Sequence, residues 1–170
     1  LNTDKMRPLV IMSPKSLLRN QLVSNPVDKF IGNHFREIIV EKHDKSKVKK
    51  VLLAHGEMAV DLLNHQKDNN PEEIALIRIE QLYPFPGEEI KEVLDSIENL
   101  DEVRFVQEEP KNMGAYSSVL PKILDILPQN VKRSYVGRPI SSSPAEGDGE
   151  TYKKIQQNII EKAMKVQEDE

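Results

Sequence analysis

Four short apolar runs, each followed by a stretch with helical patterning, constrain what this chain can fold into. Val48–Ala54, Ile74–Ile79, Val103–Val106 and Val131–Val136 each read as a buried strand. Between them, Gly56 opens an amphipathic helix with Met58, Leu62 and Leu63 at helical spacing, and Pro71 marks the far side of its exit loop. Pro86–Ile97 is a second helix with Ile90, Val93, Leu94 and Ile97 on one face. Asn112–Ile126 reads as mostly helical despite Pro121. The order is β-α-β-α-β-α-β, followed by the loop GRPISSSPAEGDGE and a terminal helix over Thr151–Val166. Parallel strands need crossovers of this length, and such crossovers are right-handed. The pattern predicts a three-layer α/β/α sandwich.

Ahead of that core, Leu9–Met12 is an apolar run closed by Ser13-Pro14, and Ser13–Arg19 reads as a helical turn with proline near its first position. Phe35–Val40 alternates enough for a strand, and EKHDKSKVKK follows as a polar turn. No internal repeat or low-complexity segment is present, so one domain over 1–170 is the simplest account. Within it, 1–34 is a lead-in from a preceding domain, 35–137 the sheet with its crossover helices, and 138–170 the loop and last helix.

Composition removes several functions. A length of 170 residues holds one α/β core and not comfortably two. A net charge of −4, 5% aromatics and no tryptophan argue against a nucleic-acid binder. No apolar run approaches the ~20 residues that span a bilayer. With no cysteine there is no disulfide framework, thiolate nucleophile or zinc–thiolate site, which fits a reducing compartment. Leu1 stands first, without Met or an apolar leader, as expected of a chain cut from something longer, though a cleaved leader would leave the same start.

Chemical motifs are sparse. His34, His43, His55 and His65 lie at no metal-ligand spacing and read as surface or capping residues. His55, at the end of a strand, is the one to watch. Gly147-Asp148-Gly149 matches the start of the magnesium–diphosphate motif of thiamine enzymes, but the only Asn-Asn, Asn69-Asn70, precedes it. A loop with a helix N-cap at Asp148 or Thr151 is the better reading. No dinucleotide, Walker or nucleophile-elbow pattern occurs. Glu108-Glu109 could do acid–base work, yet adjacent residues of a strand point to opposite faces.

Polar residues collect where strands end. In IALIRIEQLYPFPGEEI the expected central strand, Ile74–Ile79, delivers Arg78, Glu80, Gln81 and Tyr83 to the carboxyl edge of the sheet, where ligands and partners meet. Pro84 and Pro86 then fix a rigid exit. Arg78 either faces another domain or subunit, or pairs with Glu108 or Glu109 of the neighbouring strand. In QEEPKNMGAY a helix begins near Asn112, and Gly114 permits close packing. In SPKSLLR, Lys15 and Arg19 share one face, with Ser13 and Ser16 at the amino end. With Arg138 they could form a phosphate pocket; pairing of Lys15 and Arg19 with carboxylates elsewhere is the plainer alternative.

RPLVIMSPKSLLRN, IALIRIEQLYPFP, VQEEPKNMGAYSSV and YVGRPISSSPAEG, in this order, resemble the C-terminal domain of 2-oxoglutarate dehydrogenases. The resemblance implies a transketolase C-terminal-like fold, with a five-stranded, mostly parallel sheet and Phe35–Val40 as its antiparallel edge strand. It places thiamine diphosphate, magnesium and all catalytic groups in preceding domains, so no catalytic, cofactor or metal residue is expected here. Arg78, Glu80, Gln81, Tyr83, Asn112 and Tyr116 become interface candidates, Tyr116 standing where relatives often carry tryptophan. Ser13, Lys15, Ser16, Arg19 and Arg138 become effector candidates. Implied partners are the preceding domains, a homodimer mate and the succinyltransferase core, in the bacterial cytoplasm or, in a eukaryote, the mitochondrial matrix. The whole enzyme would decarboxylate 2-oxoglutarate and pass the succinyl group to a lipoyl carrier, this chain alone being inactive. The alternatives are the equivalent domain of another thiamine-dependent 2-oxoacid dehydrogenase or transketolase, and a stand-alone regulatory module binding a nucleotide or coenzyme A.

Overall fold

The computed structural model describes residues 8, 10–31, 35–69 and 71–166. Its elements are β1 (Ile38–Val40), β2 (Lys50–Ala54), α1 (Gly56–Asn69), β3 (Ile74–Ile79), α2 (Gly87–Asp95), β4 (Glu102–Pro110), α3 (Tyr116–Ile126), β5 (Lys132–Arg138) and α4 (Gly149–Met164). The five strands form one sheet in the order β1-β3-β2-β4-β5. Only β1 runs antiparallel, pairing Ile39 with Arg78; the β2–β3, β2–β4 and β4–β5 pairs are parallel. The expected sandwich with its antiparallel edge strand is the observed fold.

Side-chain alternation explains why the sheet is covered on both faces. Val51, Leu53, Ala75, Ile77, Val103 and Phe105 point to one side and pack with Ile90 and Leu94 of α2 and Val119 and Ile123 of α3. Leu52, Ala54, Ile74, Leu76 and Val106 point to the other, against Met58, Ala59 and Leu62 of α1 and Ile159, Ile160 and Ala163 of α4.

Two readings change. Ile74–Ile79 is not central: β2 occupies the middle of the sheet and separates β3 from β4. Strand periodicity carries no information about lateral order. The helix expected from Asn112 begins at Tyr116, because Met113 and Gly114 close a turn onto the Pro110 carbonyl first. In the lead-in, Lys15–Leu17, Gln21–Val23 and Val27–Lys29 are single 3-10 turns, while Val10–Met12 are exposed and form no regular element. His34 and Asn70 lie outside the described residues.

Candidate functional site at the carboxyl edge of the sheet

Helix α1 leaves β2 over one face of the sheet, whereas α3 leaves the adjacent β4 over the other. The chain therefore parts at the carboxyl ends of β2 and β4, the switch point at which open α/β sheets bind their ligands. His55 and Gly56 form one lip. Gly56 has φ +60°, a left-handed conformation that turns strand into helix in a single step. The end of β4, Gln107–Pro110, forms the other.

An aromatic chain lines the α3 side of this crevice. Ring centroids lie 6.1 Å apart for His55–Phe105, 5.7 Å for Phe105–Tyr116 and 4.3 Å for Tyr116–Tyr135. Lys111 Nζ stands 5.7 Å from the Tyr116 ring centre and 5.3 Å from that of Tyr135. Two glycines make room for polar groups here. A Cβ on Gly137 would lie 2.3 Å from the Tyr135 hydroxyl, and one on Gly114 would lie 2.5 Å from Gln107 Oε1. Gln107 uses that space: its Oε1 accepts from the Tyr116 amide at 3.0 Å, and its Nε2 donates to the carbonyls of Glu109 at 3.2 Å and Pro110 at 3.1 Å. One side chain thus fixes both the irregular end of β4 and the start of α3.

Among the described residues, His55 Nε2, Glu109 Oε2 and Tyr135 Oη are buried without a hydrogen-bond partner. Burial pushes His55 below the usual imidazole range, against the pull of the Glu109 charge. Burial likewise pushes Tyr135 up to about 12; the Gln107 amide pulls the other way without reaching hydrogen-bond geometry. Glu108 faces the opposite side of the sheet. Burial raises its pKa, and the charges of Glu109, Glu57 and Asp61 raise it further. The two carboxylates do point apart, as alternation requires.

The other expected residues are dispersed. Arg78 does not pair with Glu108 or Glu109, since β2 lies between their strands; its Nε is 3.4 Å from both Glu41 and Glu80. Gln81 Nε2 donates to the Pro84 carbonyl at 2.9 Å, and Tyr83 projects 85% exposed, 5.5 Å beneath Lys122. Asn112 exchanges two hydrogen bonds with the backbone of Ser141, at 3.0 and 3.1 Å, and so ties down the loop after β5. Of the effector candidates, Ser16 donates to Glu57, whereas Ser13, Lys15 and Arg19 are exposed. Arg138 is engaged by Glu146 and by the Pro144 carbonyl at 2.8 Å.

The 2-oxoglutarate dehydrogenase C-terminal family model matches residues 24–164. The chain belongs to that family. It is 48% identical over 166 residues to the 2-oxoglutarate dehydrogenase E1 component of Staphylococcus saprophyticus, covering 98% of this chain and 18% of that protein. The E1 component of Staphylococcus epidermidis is 49% identical over 164 residues, again with 18% of its length covered. The chain thus spans about a fifth of the length of these relatives.

The described residues do not fit a magnesium–diphosphate site. Asp148 of the Gly-Asp-Gly caps α4, accepting from the Thr151 amide at 2.8 Å and from its hydroxyl at 2.7 Å. No group of three or more metal-ligating side chains occurs among the described residues. Tyr135 escaped the sequence reading, and Gln107 and Lys111 stood in it only as part of QEEPKNMGAY, with no role of their own. Period two puts residues 103, 105, 107 and 109 on one face; the partners from β2, α3 and β5 are set by the fold.

Proposed function

We propose that this chain is the C-terminal part of a 2-oxoglutarate dehydrogenase E1 component, acting as a packing platform and not as the reaction centre. The observation that carries the reading is the 48% identity, which runs over nearly the whole chain but a small part of the relatives. In such an enzyme thiamine diphosphate and magnesium reside in preceding domains, where 2-oxoglutarate is decarboxylated before the succinyl group passes to a lipoyl carrier. The carboxyl edge of the sheet supplies the surface on which those domains, or a second subunit, rest. Exposed Tyr83, Lys111 and Asn112 support that placement, as polar residues at or after strand ends. The staphylococcal relatives favour a bacterial cytoplasm.

Radiolabelled 2-oxoglutarate with thiamine diphosphate and magnesium tests the reading. The chain alone should release no carbon dioxide above background, whereas a polypeptide joining it to the preceding four-fifths of a relative should release it. Turnover that co-purifies with the 170-residue chain, or a joined enzyme no more active than one lacking this part, overturns the proposal.

A further inference from the structure

A groove of ≈ 480 Å³ lies between α4 and the loop that follows β5, a size within the usual range of small-molecule sites. Ile155 and Ile159 of α4 and Ile140 of the loop supply its apolar surface. Ile159 belongs to the core, Ile155 is half-buried and Ile140 is 74% exposed, so an apolar strip runs from the interior out to solvent. Both walls are fixed. Helix α4 packs its inner face on the sheet, and the loop is clamped on either side of Ile140. Asn112 exchanges two hydrogen bonds with the Ser141 backbone, while Arg138 binds Glu146 and donates to the Pro144 carbonyl at 2.8 Å.

Charge sets this groove apart from the protein around it. The chain carries −4 overall, yet three cations and a single carboxylate line the groove. Arg138 and Glu146 neutralise each other, which leaves Lys154 and Lys162. These stand eight residues apart with Asn158 midway, one stripe of α4 about 12 Å long. Neither ammonium has an ion-pair or hydrogen-bond partner among the described residues. Glu161, beside Lys162 in the chain, is engaged by Gln157 on the adjacent stripe.

We propose that this groove binds an aliphatic anion, a linear apolar chain ending in a carboxylate. The chain lies on Ile140, Ile155 and Ile159, and the head meets Lys154 or Lys162. Lysine presents a compact charge on a flexible stem, which suits a single anionic head at the end of a chain. A small polar anion would leave the isoleucines unused, and a cationic amphiphile would meet two like charges. Seating the chain removes Ile140 from water, the apolar side chain that the fold leaves open here. The inference stands on the groove and not on the enzyme assignment above.

Decanoate, kept below the concentration at which it forms micelles, is the probe, and the methyl resonances of labelled isoleucines are the readout. Ile140 and Ile155 are assigned by the loss of their signals in Ile140→Val and Ile155→Val. Decanoate should shift both saturably. Acetate, the head without the chain, should leave them in place, and decylammonium, the same chain with the opposite charge, should bind about tenfold more weakly or worse. Ile11 and Ile31, 72% and 70% exposed in the lead-in, are internal controls and should not move. Lys154→Met and Lys162→Met together should weaken binding about threefold or more, the worth of an exposed ion pair. Ile140→Asp should abolish the response at Ile155 with the melting curve unchanged, because that side chain is not part of the core. Parallel shifts at Ile11 and Ile31 would mean that the amphiphile coats any apolar surface. Monomerisation of an associated chain by Ile140→Asp alone would mean that a second copy occupies the groove. Either result overturns the proposal, as does equal binding of decylammonium or an affinity unchanged by removal of both lysines.

Discussion

Arg104 and Lys50 are the two largest side chains buried to the limit of solvent contact, in a protein whose core is mostly apolar. Arg104 Nη2 and Nε both meet Glu102 Oε1 at 2.9 Å, Nε also reaches Ser134 Oγ at 2.9 Å, and Nη1 donates to the Lys162 carbonyl at 2.6 Å. Lys50 Nζ completes the group at 2.8 Å from Glu102 Oε2 and donates to the Lys165 carbonyl. These cations satisfy carbonyls at the end of α4, where the helix dipole favours positive charge. Arg104→Met should cost about 3–5 kcal/mol, because Glu102 and the helix carbonyls stay buried with less compensation. A urea midpoint within error of the parent would refute this. Glu108 is the opposite case. Its pKa is raised, so its contribution to stability is present below the unfolded carboxylate value and lost as pH rises through the folded value. Ionising Glu108 therefore costs free energy in the folded state, and Glu108→Gln should stabilise the protein above the unfolded carboxylate range, by about 0.5 kcal/mol after solvent screening. Melting curves compared at neutral and acidic pH should show the gain vanish below the unfolded value.

At the level of elements, β2–β5 and α1–α4 were legible because each carries its own periodicity and punctuation. Gly56, Pro71 and Gly87 stand at or beside element boundaries, and Asp148 was a visible N-cap candidate. Asp148→Ala should cost about 1 kcal/mol and fray the first turn of α4, read as faster amide exchange at Thr151 and Tyr152. Unchanged exchange there would show that packing of the α4 inner face, not the cap, fixes its start. Lateral relations were not legible. Nothing in Ile74–Ile79 says that it sits beside β1 instead of at the centre, and nothing in Arg104 announces partners 30 to 61 residues away. For the same reason the candidate site was read only in part. His55 and the Gln107–Tyr116 turn stood out as polar strand ends, but Tyr135 joins them only because β5 lies beside β4.

The whole molecule is asymmetric in where it leaves apolar surface uncovered. Of thirteen large apolar side chains exposed among the described residues, seven lie in the lead-in, Val10, Ile11, Met12, Leu18, Val27, Phe30 and Ile31, and Phe35 follows directly after it. The segment is nonetheless attached. Leu22 packs on the α1–α4 cluster, Asn20 Oδ1 caps the following turn at 2.9 Å, and Ser16 binds Glu57. Its middle is thus held to the body while its apolar residues stay exposed, and exposed apolar side chains in such number favour association. The chain should self-associate with rising concentration. Replacing Met12, Phe30 and Ile31 by lysine should return it to monomer, with an unfolding free energy changed by no more than about 0.5 kcal/mol per site, because these side chains contribute little to the core. Sedimentation velocity across a wide concentration range decides the matter. A parent chain that stays at monomer mass throughout would show the lead-in is not adhesive, and a variant that loses stability in step with association would show it belongs to the core.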